Sequence, residues 1–370
     1  MIDNFVLYPS FKENKLYGRY ITNDSIYKLN KLYRFKELGR SVDEKPIYYF
    51  NFGSGKKKIL IWSQMHGNES TSTRALFDAL SYFSKFDNNT LLNITLHIIP
   101  ILNPDGATNY SRENSNKIDL NRDAFDLTQK ESRILKDLYI KINPDFCFNL
   151  HDQRSIYSVS NTNKPSVLSF LSPSANINKS ETNSRIIGMK IISSLANRLS
   201  KLIPGCFSRY NDDFNKNCVG DTFQSMKTPT ILFESGHYKN DYTRENTRKY
   251  MSYALIHSLK SIAYDEFKEF NHKNYYSIPE NDTSFRDILL RNVKIRQKEK
   301  SFRTDITIMY KEVFETSSNK INLVPYIDKI GNLISMFGHL DLDFINNERI
   351  FNIDNINNLM EEVNKLRIIQ

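Results

Sequence analysis

Four apolar, strand-like runs of this 370-residue chain each end abruptly in polar residues that can do chemistry. The runs are residues 59–63, followed by His66 and Glu69; 96–102, followed by Asn103-Pro104-Asp105-Gly106 and Arg112; 146–150, followed by His151 and Asp152; and 231–233, followed by Glu234. In open α/β sheets, ligands bind outside the carboxyl ends of the strands. Many strands end in polar loops, so one run alone is weak support. All four together predict a single crevice at which these ends meet.

Between residues 46 and 263, such runs alternate with amphipathic segments of helical period, at 70–85, 128–141, 183–202 and 242–263. This alternation is typical of a sheet with crossover helices. We therefore predict an α/β fold, with a mixed and largely parallel sheet and helices on both faces. Residues 23–38 also have a helical period.

Beyond residue 266 the pattern changes to short alternating runs, at 288–295, 305–314, 321–327 and 332–342. Such runs suit antiparallel strands, and a helix is predicted from about 352 to 366. The expected organisation is a main domain over residues 1–265 and a small β-rich C-terminal region over residues 266–370 that ends in a helix.

Composition narrows the class of protein. A hydrophobic content of 39% with 25% charged residues is ordinary for globular proteins. We find no apolar run of about eighteen residues and no secretory signal, so we expect a cytoplasmic protein without a membrane partner. Three cysteines cannot build a disulfide framework. Although the net charge is +9, the basic residues are mostly scattered, and no nucleic-acid partner is expected.

His66 and Glu69 form a His-x-x-Glu pair that one loop can bring to a single point, and His151 can join them from another strand. A catalytic zinc ion takes three such ligands and keeps one position open. We predict one Zn²⁺ per chain, bound by these three residues. The alternatives are a surface histidine that lies beside Glu69 by chance and a core histidine at position 151.

Glu234 is the predicted general base and later general acid. A glutamate at the end of an apolar strand is partly desolvated, which raises its pKa toward the working range. The alternative is a structural ion pair with Arg244 or Arg248.

Taken together, these motifs resemble those of the zinc carboxypeptidases of the funnelin (M14) family, of the bacterial type. The matching motifs are His66-Gly67-Asn68-Glu69, Asn103-Pro104-Asp105-Gly106, Arg112, Asp119-Leu120-Asn121-Arg122, Leu150-His151-Asp152 and Phe233-Glu234. The resemblance implies that the main domain is a catalytic domain that hydrolyses the C-terminal peptide bond of a peptide. It also implies that the carboxylate of Asp119 accepts the free ring N–H of a zinc-bound His66. Arg112 would stabilise the oxyanion of the tetrahedral intermediate.

The resemblance also bears on substrate binding. Asn121 and Arg122 occupy the positions at which the family grips a terminal carboxylate, and a guanidinium matches a carboxylate in shape and charge. The digestive members of the family carry a mobile tyrosine between the third zinc ligand and the catalytic glutamate, for which Tyr210 is the candidate here, with Tyr238 and Tyr242 as alternatives.

Two other functions stay open. One is an N-acyl amino acid deacylase of the aspartoacylase and succinylglutamate desuccinylase kind, which shares the His-x-x-Glu pair and the distant histidine. The other is a zinc-binding module without catalysis. The expected partner is accordingly a peptide or an N-acyl amino acid.

Overall fold

The computed structural model describes residues 7–297, 299–347 and 350–352. Its strands are β1 Lys36–Arg40, β2 Pro46–Gly53, β3 Lys57–Ser63, β4 Ile94–Ile99, β5 Phe146–Asp152, β6 Ser158–Val159, β7 Leu168–Leu171, β8 Phe207–Arg209, β9 Thr230–Ser235, β10 Asn281–Asp282, β11 Phe285–Gln297, β12 Lys300–Glu315, β13 Lys320–Gly331, β14 Phe337–Asp343 and β15 Ile350–Asn352. Its α-helices are α1 Tyr8–Phe11, α2 Asn23–Tyr27, α3 Asn30–Tyr33, α4 Thr71–Phe86, α5 Asn88–Leu91, α6 Pro104–Asn109, α7 Lys130–Ile142, α8 Asn183–Leu202, α9 Val219–Ser225 and α10 Glu245–Ala263, and short 3-10 helices lie at Leu120–Arg122, Glu266–Glu269 and His272–Ser277.

The described residues divide into two compact units. The first, residues 7–153 and 166–281, is built on an eight-stranded sheet with the order β1-β2-β4-β3-β5-β9-β7-β8 within the described chain. The four central strands, β4, β3, β5 and β9, are parallel to one another. Antiparallel pairings flank them, because β2 runs against β4 and β7 runs against β9. The predicted mixed, largely parallel sheet is confirmed.

Hydrophobic cores cover both faces of this sheet, because successive side chains of a strand point to opposite sides. On β3, Ile59 and Ile61 face a core that contains residues of α4, α8 and α10. Leu60 and Trp62 face a second core that contains residues of α7 and α9. Strands covered on both faces read as continuous apolar runs, and every residue of β5 is buried. Helices therefore lie on both faces, as predicted.

The prediction of a helical period over residues 23–38 is only partly right. Two short helices, α2 and α3, lie within residues 23–33, and Arg34, which follows α3, has the left-handed conformation, with φ 54° and ψ 61°. The chain then enters β1, which pairs with β2. A left-handed residue breaks the helical path, so the later apolar residues serve a strand.

The second unit contains residues 154–165 and the described residues from 282 onward. Its sheet has the order β13-β12-β11-β14, with β15 also on β11, and it has a small core of its own. The extra C-terminal sheet is confirmed, but the expectation of antiparallel strands is only partly right, because β14 and β15 pair with β11 in parallel. The predicted helix at 352–366 lies, from residue 353, outside the described residues.

The compact units divide at a different place from the predicted boundary at residue 265. The two 3-10 helices Glu266–Glu269 and His272–Ser277 pack against α8 and belong to the first unit. Residues 154–165 belong to the second unit, in which the amide of Phe285 donates to the carbonyl of Ile156 at 3.0 Å. The division into a catalytic domain and a C-terminal region stays a prediction.

Among the described residues, the structure has no helix that combines the length and the apolar character needed to span a bilayer.

Candidate metal centre

The turn between β3 and α4 carries His66 and Glu69, and close packing fixes its path. A Cβ atom on Gly67 would lie 1.9 Å from the carbonyl carbon of Gly106, so only glycine fits there. The side-chain amide of Gln64 donates to the carbonyl of Gly67 at 2.9 Å and so closes the turn. The backbone contacts of Gly67 therefore fix the turn on which His66 and Glu69 lie.

Three potential ligand atoms meet at the carboxyl ends of β3 and β5. Nδ1 of His66 lies 2.9 Å from Oε1 of Glu69, and Nδ1 of His151 lies 2.9 Å from Oε2 of the same carboxylate. The two Nδ1 atoms are 3.1 Å apart, and the three residues can place one ligand atom each within 4.8 Å of the others. Both histidines are buried. The structure thus brings the three predicted ligands together.

The chemistry of this donor set fits zinc. Two imidazole nitrogens and one carboxylate are the protein ligands of one class of catalytic zinc site, in which the fourth position stays open. The other ring nitrogen of His66, Nε2, lies 2.9 Å from Oδ1 of Asp119. A carboxylate in that position fixes the tautomer of a metal-binding histidine and raises its basicity. Asp119 therefore has the geometry predicted for it.

The ionisation of the three residues follows from their mutual contacts. Burial lowers the pKa of His66, but the charge of Glu69 and the hydrogen bonds with Asp119 and Glu69 outweigh burial and raise the pKa overall. Burial dominates at His151 and lowers its pKa. Burial opposes ionisation of Glu69, yet the two histidines hold the pKa of this carboxyl well below its usual range. A neutral His151 and an ionised Glu69 are the forms that bind a metal ion.

Arg112 approaches the same cluster from the solvent side. Its Nη2 donates to Oδ2 of Asp119 at 2.9 Å, its Nε donates to the same oxygen at 3.1 Å, and its Nη1 lies 3.3 Å from Oε1 of Glu69. The side chain keeps 48% of its surface exposed. A guanidinium at the open side of the ligands can meet a negative charge that develops there.

Glu234 lies on β9, directly beside His151 of β5 in the register of the two strands. Its Oε2 is buried and has no hydrogen-bond partner within the described part of the chain. Burial raises the pKa of Glu234 well above its usual value, and the charges of Glu69 and Asp152 raise it further. These surroundings therefore favour the protonated form of the carboxyl group.

The arginines proposed as structural partners of Glu234 have other contacts. Arg248 forms a buried ion pair with Asp78, with Nη2 2.6 Å from Oδ1. Nη1 of Arg244 donates to the carbonyls of Gln153 at 2.8 Å and Ser235 at 2.9 Å. The positive charge of Arg244 lowers the pKa of Glu234, but burial has the larger effect and raises it.

Asn121 and Arg122 follow Asp119 in a single 3-10 turn. Oδ1 of Asn121 accepts a hydrogen bond from the amide of Val219 at 3.0 Å, which joins this turn to the start of α9. Nη1 of the exposed Arg122 lies 2.8 Å from the carbonyl of Asn121 and 3.1 Å from Sγ of Cys218. Because Asp119 contacts both His66 and Arg112, the structure places this turn next to the ligand cluster.

Comparison with known proteins agrees with this arrangement of motifs. Residues 26–165 match the family model of zinc carboxypeptidases, Peptidase M14. This part of the chain is thus similar in sequence to the zinc carboxypeptidases. The match contains the three candidate ligands, Arg112 and the turn with Arg122, whereas Glu234 lies beyond it.

Curated relatives of the carboxypeptidase domain are distant. Carboxypeptidase 2 of Trichophyton tonsurans is 27% identical over 125 residues, which are 32% of this chain and 22% of the relative. Carboxypeptidase SOL1 of Arabidopsis thaliana is 28% identical over 124 residues, which are 28% of this chain and 25% of the relative. The chain thus matches a quarter or less of the length of either protein.

Solved structures share the fold. A metallo-carboxypeptidase from Pseudomonas aeruginosa, in complex with (2-guanidinoethylmercapto)succinic acid, superposes with a TM-score of 0.52 at 16% identity, over 67% of this chain and 70% of the other. A metallo-carboxypeptidase from Burkholderia cenocepacia gives a TM-score of 0.51 at 15% identity, over 65% and 68%. The first unit therefore has a carboxypeptidase-like fold.

Strand register relates the backbone of Tyr210 to the strand that carries Glu234. The amide of Tyr210 donates to the carbonyl of Phe170 at 3.0 Å, and Phe170 of β7 pairs with Phe233 of β9. Arg209, the residue before Tyr210, pairs with Phe170 of β7, which in turn pairs with Phe233, the residue before Glu234. The role of Tyr210 in substrate binding stays a prediction.

The alternatives Tyr238 and Tyr242 follow the carboxyl end of β9, which is the end that carries Glu234. The ring of Tyr242 lies 4.8 Å from the ring of His237, measured between centroids. Both alternatives also stay predictions.

The sequence does not predict the contact between Asp152 and the helix turn that contains Ser72. It places Asp152 only as the neighbour of His151. The carboxylate of Asp152 contacts the start of α4, about 80 positions away along the chain. The one signal available was the run of hydroxyl side chains from Ser70 to Thr73, which is typical of a helix start. That run does not indicate which distant residue contacts the helix start.

Proposed function

We propose that the chain is a zinc-dependent metallocarboxypeptidase that hydrolyses the C-terminal peptide bond of a peptide. The main support for the proposal is that His66, Glu69 and His151 lie within hydrogen-bonding distance of one another. Glu234 lies beside His151 on the neighbouring strand. The match of residues 26–165 to zinc carboxypeptidases supports the same reaction.

The proposed chemistry divides the work among a few groups. Zinc, when bound by the three residues, would supply a Lewis acid that polarises the peptide carbonyl and lowers the pKa of water. Glu234 takes the proton of the attacking water and passes it to the departing amine, because a buried carboxyl of raised pKa can do both. Arg112 meets the charge that builds up on the carbonyl oxygen.

Selection of the chain end is assigned to Asn121 and Arg122. A guanidinium carries five N–H donors, and the two contacts described for Arg122 use Nη1. The other donors can pair with a free carboxylate in a bidentate, charge-assisted contact. A peptide with an amidated C-terminus lacks that partner, whereas an N-acyl amino acid retains it.

A test on three substrates separates the candidate functions. The zinc-loaded protein is given a peptide with a free C-terminus, the same peptide amidated, and an N-acetyl or N-succinyl amino acid. We expect cleavage of the free peptide and a loss of roughly tenfold or more on amidation, because a charge-assisted contact contributes about 1.5–3 kcal/mol. Arg122→Ala should abolish the preference and lower activity while zinc stays bound.

Arg296→Ala is the matched control, because it removes an exposed arginine of the second unit. It should keep the wild-type preference. Equal cleavage of the free and amidated peptides would rule out the carboxylate clamp. Cleavage of the acylated amino acid alone would assign the deacylase function, and zinc binding without hydrolysis of any substrate would leave a binding module.

A further inference from the structure

The start of α4 is capped by a residue from another strand. Ser70 occupies the N-cap position, but its hydroxyl donates to the carbonyl of Arg19 at 2.6 Å and caps nothing in the helix. The carboxylate of Asp152, at the end of β5, instead accepts hydrogen bonds from the amides of Thr71 at 2.7 Å and Ser72 at 3.1 Å. A negative charge in this position satisfies the free N–H groups and complements the helix dipole.

The capping contact joins the two chain segments that carry the candidate metal ligands Glu69 and His151. Glu69 directly precedes the capped turn, and His151 directly precedes Asp152, although 82 positions separate the two ligands along the chain. The amide of Asp152 donates to Oε2 of Glu69 at 3.1 Å. The hydroxyl of Ser72, in the capped turn, donates to the carbonyl of His151 at 2.7 Å. Each ligand is thus held by the segment that carries the other.

His151 depends on such support more than His66 does. The ring of His66 is oriented through Nε2 by Asp119. Nε2 of His151 is buried and makes no hydrogen bond to any part of the chain that the structure describes. With no partner on the far side of its ring, His151 is oriented through its backbone, and that backbone is fixed to α4 by Ser72 and Asp152.

We propose that Asp152 is a positioning residue of the metal centre, which locks Glu69 and His151 into one geometry by tying the end of β5 to the start of α4. The inference rests on the proposed metal site and adds a residue that does not touch the metal. Side chains that hold metal ligands in place affect metal affinity by roughly 10–100-fold when they are replaced.

Asp152→Asn tests the proposal in the full chain, with zinc affinity measured by competition with a chromophoric chelator. An asparagine turns an N–H group toward backbone N–H donors and removes the charge, so the capped turn loses at least one hydrogen bond. We expect zinc to bind roughly 10–100-fold more weakly.

Asp241→Asn is a closely matched control. The buried carboxylate of Asp241 caps α10 in the same manner, since it accepts from the amides of Asn246 at 3.1 Å and Thr247 at 2.8 Å and from the hydroxyl of Thr247 at 3.0 Å. Both variants should lower the melting temperature. Only the Asp152 variant should weaken zinc binding.

Unchanged zinc affinity in Asp152→Asn overturns the proposal, and so does an equal loss in both variants, because that result would reflect general destabilisation. If Asp152→Asn does not fold, Ser72→Ala removes the link to His151 with a smaller effect on the helix, and wild-type zinc affinity in that variant overturns the proposal. A wild-type protein that binds no zinc contradicts the metal site itself, which makes failure of the proposed function distinguishable.

Discussion

At the scale of single residues, the environment of Glu234 decides what its carboxyl group can do. The group is buried beside two other acidic residues, Glu69 and Asp152, and these charges and the loss of solvent raise its pKa. A structural glutamate in such a place would need a buried cation in close contact. Arg248, one candidate for that cation, is instead paired with Asp78.

We therefore expect Glu234→Gln to fold and to bind zinc but to lose roughly a hundredfold or more in turnover, because the amide keeps the shape and cannot accept the proton. Turnover of a free peptide and zinc content are measured side by side. Glu131→Gln is the control, since burial also raises the pKa of Glu131, which hydrogen-bonds the amide of Val42 and the side chain of Asn114. Near-normal turnover in Glu234→Gln would move the base elsewhere.

The cluster of His66, Glu69 and His151 could be predicted because each residue follows an apolar run, and parallel strands deliver such residues to one edge. Asp152 could not be assigned its contacts, because its partners Thr71 and Ser72 are near only in the folded chain. The position of Tyr210 between His151 and Glu234 in the sequence does not reveal that β7 lies between β8, which ends just before Tyr210, and β9.

At the scale of secondary-structure elements, α9 carries a buried carboxyl group in its first turn. Asp221 is buried in the first turn of this helix, and its Oδ2 accepts a hydrogen bond from the amide of Asn215 at 2.8 Å. Burial raises the pKa of Asp221 to about 7, and the nearby charges of Arg122 and Arg185 offset only part of that effect.

This raised pKa predicts a pH-dependent stability. Between about pH 4 and pH 7 the folded chain retains a proton at Asp221 that the unfolded chain has lost, so the free energy of unfolding falls as the pH rises through this window. Asp221→Asn abolishes this effect and can still accept the bond from Asn215. We expect the variant to melt several degrees above the wild type at pH 8, with little difference at pH 4.

Melting temperatures of both proteins across this pH range check the expectation. Asp137→Asn, an exposed replacement on α7, serves as the control and should follow the wild type throughout. A gap between Asp221→Asn and the wild type that does not change with pH would contradict the assignment.

The elements themselves differ in how far the sequence predicts them. The helix α8 has the predicted bounds, and α4 begins one residue later than predicted, because a long helical period covers the whole element. The strand β1 was missed because the left-handed Arg34 leaves no clear sequence mark. The parallel pairing of β14 with β11 was missed because register depends on contacts between distant segments.

At the scale of the whole molecule, all three candidate ligands belong to the first unit. A ligand that binds only the folded state stabilises it, by about 2.7 kcal/mol at a free concentration of a hundred times Kd. We expect zinc to raise the melting temperature of the first unit by roughly 5–10 °C over the chelated protein. The double variant His66→Ala, His151→Ala should show no such rise.

Calorimetry with and without chelator measures the effect. His272→Ala, which removes a histidine that contacts Glu181, is the control and should keep the full response to zinc. A rise in melting temperature that survives in the double variant would place the zinc at another site.

The position of β5 in the middle of the sheet has a consequence for the chain during its synthesis. This strand is buried along its whole length, with β3 on one side and β9 on the other. A nascent chain that has not yet reached Thr230–Ser235 leaves one side of β5 as an open apolar edge, the kind of surface to which other chains add. Arrival of β9 closes that edge and brings in Glu234 in the same step, so the strand that removes this risk of aggregation also carries the proposed general base.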